Sequence, residues 1–409
     1  MREKITRRNA LKGVATAGAV GLAGCLGGGG SGGSSGRTVT HGILMPETGD
    51  LASVGRPIRD GADLPILQLQ DAVSGVSFES QIGDTQTDPQ AGISAAENLV
   101  NAGFPAITGP ASSGVNVQVS RQVLIPNEVV GVSPSSTSPT VTGLDDNGYI
   151  FRTPPSDALQ GSVMAQVGTD DVGATDAAVM YVNNDYGQAL SDSFTGSFEG
   201  SVAATVAFEK EQSSYTSRLE EALADSPDML VVIGYPASGI QIFRDYYADF
   251  DTGVQIVVTD GLRDATLPGE VGSDMSNVIG TAPSAAGPGK EFFETSFADQ
   301  FGSEAGVFTS QAYDATAVSL LANVAAGENV GSAVRDNMDA VANPDGEAFG
   351  PETLAEAVEA VLAGDAINYG GASSSVDFDE NGDMQAVTYE IFEFTADGVS
   401  TQSTIDFGN

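Results

Sequence analysis

The sequence predicts an α/β chain of two doubly wound lobes, and three observations predict it. Eight short apolar runs rich in β-branched residues fall into two sets of four. Stretches of helical period separate them. The chain is also long enough for two compact units of ordinary domain size.

The first set of runs is Val39 to Met45, Ser77 to Ile82, Pro105 to Thr108 and Val129 to Val132. The second is Ala177 to Val182, Val202 to Phe208, Met229 to Ile233 and Val254 to Thr259. Most are bounded by Gly, Pro or Asp, as buried parallel strands are. In DPQAGISAAENLVNAGF, Asp88 suits an N-cap, Pro89 suits the first helical position, and Gly103 can end the helix. Ile93, Ala96, Leu99 and Val100 then share one face. A strand–helix–strand rhythm of this kind implies parallel, doubly wound sheets.

YIFRTPPSDALQG, Tyr149 to Gly161, reads as a passage between the lobes. Its two prolines stiffen an extended segment, and Ser156 can cap the helix that follows. Near the C-terminus, VDFDENGDMQAVTYEIFEFTADGVS predicts hairpin strands joined by a tight turn at Asn381-Gly382.

The N-terminal stretch has a different character. Thr6 to Lys12 has an arginine pair with a leucine three residues after it, the pattern of a twin-arginine export signal. Gly13 to Gly24 is small and apolar, too short for the roughly 20 residues that span a bilayer, and suits a signal peptide. Leu22-Ala23-Gly24-Cys25 resembles a lipobox, in which Cys25, the only cysteine, is lipidated and becomes the first mature residue. Gly27 to Gly36 then forms a flexible tether. After Gly36 no run is apolar for 18 residues, so no later membrane span is expected.

The whole chain has a formal charge of −39. Removing residues 1–24 takes away five basic residues and one acid, leaving 11 basic, 54 acidic and a balance of −43. Such a surface repels nucleic acid and anionic lipid. It also strains a fold at low salt, whereas at molar salt the Debye length is only about 3 Å. Lys210 and Lys290 are the only lysines left. Together these features predict adaptation to brine.

DTQTDPQAGISAAENLVNAGFPAITGPASSGV, GVSPSSTSPTV, YIFRTPPSDALQG, YVNNDYGQAL and VVTDGLRDATL occur in this order. They resemble the solute-binding proteins of branched-chain amino acid ABC importers, from about Val39 to Phe394. The resemblance implies a type I periplasmic-binding fold: two α/β lobes, joined by three hinge strands, closing on a ligand. The expected boundaries are a signal peptide at 1–24, lipidated cysteine and tether at 25–37, an N-terminal lobe at 38–155 and 284–374, and a C-terminal lobe at 156–283 and 375–409. The implied partners are a small amino-acid ligand, the permease subunits of an ABC importer, and the membrane through the lipid anchor alone. A monomer that binds no nucleic acid and needs no cofactor is expected. The alternative is a binding protein or sensor for a short amide or urea-like solute, since the family also includes such binders.

The candidate site follows from the same motifs. An α-carboxylate is held by hydroxyls and N–H groups at helix starts. By resemblance Ser113 of GPASSG and Ser135 and Thr137 of SPSSTSP grip it. An ammonium in a closed cleft needs a carboxylate partner. Asp260 stands at the carboxyl end of the run VQIVVT, where open α/β sheets bind ligands. Relatives that bind free amino acids are acidic there, with Glu in the leucine/isoleucine/valine-binding protein. Tyr186 and Tyr235 also follow strand-like runs and suit an apolar wall.

Other chemistries find little footing. Asp377, Asp379, Asn381 and Gly382 match the first half of an EF-hand loop, but the twelfth position is Thr388, so a turn is expected and no metal site. His41 is the only histidine, and neither GxSxG nor GxxxxGK[ST] occurs. No catalysis is expected.

Overall fold

The computed structural model describes residues 36–407, apart from 251, 343–345 and 396–397. The signal peptide, Cys25 and nearly all of the tether lie outside the described residues. Among the described residues no helix is long and apolar enough to cross a membrane.

The first sheet is built from β1 (Arg37–Met45), β2 (Val76–Asp84), β3 (Ala106–Thr108), β4 (Val130–Ser133) and β5 (Ile150–Arg152). All are parallel, in the order β2-β1-β3-β4-β5. The second sheet holds β6 (Asp176–Val182), β7 (Ser201–Phe208), β8 (Met229–Ile233), β9 (Gln255–Val258) and β10 (Val278–Ser284), also parallel. A small pair, β11 (Glu347–Phe349) and β12 (Ile367–Tyr369), follows. Antiparallel β13 (Val387–Thr395) and β14 (Gly398–Phe407) complete the second sheet, in the order β14-β13-β10-β9-β8-β6-β7. This is the expected α/β architecture of two doubly wound lobes. The chain crosses between them after β5, after β10 and before β13.

Local chemistry explains the elements. The side chain of Asp88 accepts from Gln90 N and Ala91 N, and Pro89 opens helix Pro89–Asn101. Gly103 takes φ +87°, beyond the reach of most side chains. Ser156 caps helix Asp157–Gln166 through Ala158 N. The long helix Thr309–Ala326 is buried on almost every side in the first lobe and packs on helix Ala52–Leu69. Gly61 makes that approach possible, since a Cβ there would sit 2.3 Å from Thr309 O.

One expectation is corrected. The Asn381-Gly382 turn forms, but it does not join β13 to β14, which are linked around residues 396–397. It is flanked only by a single bridge, Phe378 with Met384. Asp379 Oδ1 accepts from Asn381 N (2.8 Å) and Asp383 N (3.0 Å), so the acids of the half-matched calcium pattern organise the turn. Gly382 O accepts from Arg152 N, which docks the turn on the end of β5.

Candidate functional site

Five strands end at one cavity. In the first lobe, β3 leads into Ala111, Ser112 and Ser113, and β4 into Ser135. In the second, β6 leads to Tyr186, β8 to Tyr235 and β9 to Asp260 and Gly261. Side chains reach the carboxyl ends of the strands because each loop there turns from strand into helix. Val54, Ile58 and Phe308 make the apolar wall. The cavity is narrow, about 20 Å³, room for about one water molecule. A larger occupant therefore requires the lobes to part.

The second-lobe wall is a hydrogen-bonded aromatic stack. The Tyr186 and Tyr235 rings lie 5.6 Å apart and 12° from parallel. Tyr186 OH lies 2.7 Å from Thr259 Oγ1 and donates to Asp260 Oδ1 at 3.2 Å. Tyr235 OH accepts from Asn184 Nδ2 and meets Ser112 Oγ across the cleft, each at 3.1 Å. Gly261 lets the backbone pass close to the β8 loop, since a Cβ would come within 2.3 Å of Gly234 O.

The first-lobe wall is rich in hydroxyls. Ser113 Oγ accepts from Ser138 N at 3.3 Å, so its own proton is left to donate. Ser135 Oγ donates to Ala111 O at 3.1 Å and must turn to serve a ligand. Phe308, beside them, holds φ +61° at the start of helix Thr309–Ala326. A bulky residue in that region is strained, and such strain gathers at binding sites.

The electrostatics centre on two acids. Asp260 is buried, and loss of solvation pushes its carboxyl up to about 6, against hydrogen bonds from Gln160 and Tyr186. Asp157, in the first turn of helix Asp157–Gln166, is fully buried. Burial and then the Asp260 charge hold its carboxyl well above the usual range, with Thr137 and Arg152 opposing. Both buried carboxyls therefore hold a proton more tightly than an exposed acid does. Tyr186 and Tyr389 both feel the two acids, and burial, followed by those charges, raises both phenols well above their ordinary range. A buried carboxylate beside the stacked Tyr186 and Tyr235 rings suits an ammonium group.

Behind the serine loop lies Arg152, fully buried. Its Nη1 donates to the carbonyls of Ser136, Thr137 and Ser138 at 3.3, 2.9 and 3.0 Å. Its other nitrogens pair with Asp383. The guanidinium therefore shapes the loop that carries Ser135.

The structure brings five of the predicted residues, Ser113, Ser135, Tyr186, Tyr235 and Asp260, to one cavity. Thr137 lies behind it, buried, with its side chain facing Asp157. The residues that sequence reasoning missed are Asp157, Arg152, Phe308 and Asp383. Asp157 had a local signal, an acid after a capping serine, but that also describes any first-turn acid. His41 is buried against Thr108, 2.7 Å from its Oγ1, and takes no part in the cavity.

The lobes are shut in this structure. Ser138 Oγ donates to Asp185 O at 3.0 Å, Lys210 Nζ to Thr87 O, and Asp50 meets Ser238, all across the cleft.

Comparison with known proteins agrees with this architecture. A family described as periplasmic binding protein matches residues 38–364. The chain is 28% identical over 384 residues to the chemotactic signal transduction system substrate-binding protein BasB of Halobacterium salinarum, covering 91% of each. It is 29% identical over 338 residues to a Leu/Ile/Val-binding protein homolog 1 of Brucella abortus, covering 79% of this chain and 85% of that one. The leucine binding protein LivK of Thermotoga maritima superposes with a TM-score of 0.76 at 22% identity, over 90% of this chain and 98% of that one.

Proposed function

The chain belongs to the periplasmic-binding-protein family, among the solute-binding proteins of branched-chain amino acid importers, and from that membership we propose that it captures a free amino acid with a small aliphatic side chain. One observation carries this reading. Buried Asp260 faces the hydroxyls of Ser113 and Ser135 across the cleft, beside an aliphatic and aromatic wall. Ammonium, carboxylate and apolar side chain each have a matching surface.

The mechanism is hinge closure. Ser113 and Ser135 of the first lobe hold the carboxylate. Asp260 of the second holds the ammonium, with Tyr186 and Tyr235 covering it. A ligand that touches both lobes favours the shut form by its differential affinity. The shut form then docks on an importer permease. Cys25 anchors the chain to the outer face of the membrane after export, and the acidic surface suits concentrated salt.

A second reading has support in the printed name of BasB, a substrate-binding protein of a chemotactic system. In it the shut form docks on a signalling receptor instead. Loss of leucine uptake, against loss of attraction to leucine, in a deletion strain separates the two.

The binding claim is tested by a thermal-shift screen in molar salt, since a ligand of the native state raises the melting midpoint. Leucine, valine, alanine, leucinamide, urea and benzoate form the panel. A shift with leucine or valine supports the proposal. A response to the amide, urea or benzoate alone overturns it.

A further inference from the structure

Helix Pro236–Asp245 belongs to the second lobe, yet a first-lobe residue binds its first turn. Asp50 lies in the loop between β1 and helix Ala52–Leu69. Its Oδ1 accepts from Ser238 N at 2.8 Å, and Ser238 Oγ lies 2.9 Å from both of its carboxyl oxygens. Its main-chain oxygen accepts from Ala237 N at 3.2 Å. Tyr215 OH completes the cluster, 3.0 Å from Ser238 Oγ.

The helix lacks a cap of its own. Tyr235, at the N-cap position, makes no side-chain capping bond. The first N–H groups of a helix need an outside acceptor, and a carboxylate is the favoured one. Here that acceptor arrives from the opposite lobe, and Asp50 is buried, 2% exposed. Tyr235, next to the capped turn, is also the ring whose OH meets Ser112 over the cavity. Among the described bonds across the cleft, this one buries a titratable carboxyl at a helix start. Burial costs it solvation and raises the carboxyl to about 6, with Lys210 and Glu211 the charged groups acting on it. Gain and cost are thus opposed, as a reversible contact requires.

We propose that Asp50 is a closure latch, a positioning residue that caps the second-lobe helix only when the lobes are shut and thereby seats Tyr235 over the ligand. This rests on capture by hinge closure, but not on which solute is captured. Opening the cleft removes the cap from the helix, so the latch favours the shut form even before a solute enters.

The test is the distance between spin labels at exposed Glu97 and Glu220, one in each lobe, with Cys25→Ser to leave no other thiol. Without solute, Asp50→Ala is expected to move the distribution toward the longer, open distance. Asp50→Asn keeps a carbonyl acceptor for Ser238 N and is expected to recover most of the short distance. Leucine affinity, by calorimetry, is expected to fall about 10- to 100-fold in Asp50→Ala, the range for a buried hydrogen bond to a charged group. Ser238→Ala, which removes only the hydroxyl, carries the test if Asp50→Ala folds poorly. A distribution unchanged from wild type in the folded variant overturns the latch. If leucine fails to bind the wild type, the amino-acid proposal fails, while the solute-free distances still decide the latch.

Discussion

Arg152 Nε stands 2.6 Å from Asp383 Oδ1, and Arg152 Nη2 stands 2.8 Å from Asp383 Oδ2, a bidentate pair between the end of β5 and the Asp379–Asp383 turn. The same guanidinium holds three carbonyls of the Ser136–Ser138 loop. One buried cation therefore ties a lobe crossing, a hydroxyl-bearing loop and the approach to β13 together.

Breaking such a pair leaves a charge buried without its partner, at a typical cost of about 3–5 kcal/mol. Asp383→Asn keeps the shape and removes the charge, so it is expected to lower stability by about that amount and to weaken ligand binding by loosening the Ser135 loop. Chemical denaturation at constant salt measures it. An unchanged midpoint would show that the pair holds nothing together.

Asp260→Asn is expected to weaken leucine binding by a factor of about 30 or more, since a broken buried charge pair costs about 2–5 kcal/mol. Ser113→Ala removes one hydroxyl and is expected to cost on the order of 1 kcal/mol. Calorimetry on both variants checks the order. Equal losses, or an Asp260→Asn that binds leucine as the wild type does, would contradict the assignment of the ammonium to Asp260.

The pH response has two opposite signs. Burial raises Asp50, Asp260 and Asp314 to about 6 in the folded chain. Each binds its proton more tightly folded than unfolded. Their cost is therefore present in full above about 6 and is relieved as pH falls from there toward the unfolded carboxyl value near 4. His41 is lowered to about 3 by burial, so its contribution is present above about 6.5 and is lost as pH falls. Each group weighs about 1.4 kcal/mol per pH unit, and three acids outweigh one histidine. The solute-free melting temperature is expected to rise from pH 7 to pH 5. Leucine affinity is expected to fall over the same range, because the ammonium needs Asp260 ionised. Scanning calorimetry and titration at each pH check the pair of trends. If both move the same way, Asp260 is not the partner of the ammonium.

The charge balance predicts loss of stability on dilution from molar to low salt, as repulsion among exposed acids is unscreened. Circular dichroism melts across that range measure it. A flat midpoint would argue against adaptation to brine.

Cys25→Ser is expected to release the protein from the membrane into the medium, and replacement of Arg7 and Arg8 by Lys is expected to block its export. Fractionation and immunoblotting read both. A Cys25→Ser protein that stays on the membrane would rule out the lipid anchor.

Much of the fold was legible because its causes are local. A buried parallel strand is a short apolar run, and β6 and β8 lie within one residue of the runs read from the sequence. Asp88 and Pro89 wrote the start of their helix in adjacent residues. Tyr186, Tyr235 and Asp260 were found for a related reason, since each follows a recognisable strand and strand ends gather at a cleft, whereas Ser113 and Ser135 were assigned by the family resemblance of their motifs. Helix Thr309–Ala326 left no such trace. It is buried around most of its circumference, so its apolar residues have no one-sided period to find. The Asn381-Gly382 turn was legible as a turn, but which strands it served was not, because strand pairing depends on partners far along the chain. The same holds for the contacts that organise the cleft. Arg152 meets Asp383 across 231 positions, and Asp50 meets Ser238 across 188. Polar groups paired at such separations leave no pattern in either neighbourhood. Only the folded chain decides them, because burial selects the partner that offsets the lost solvation.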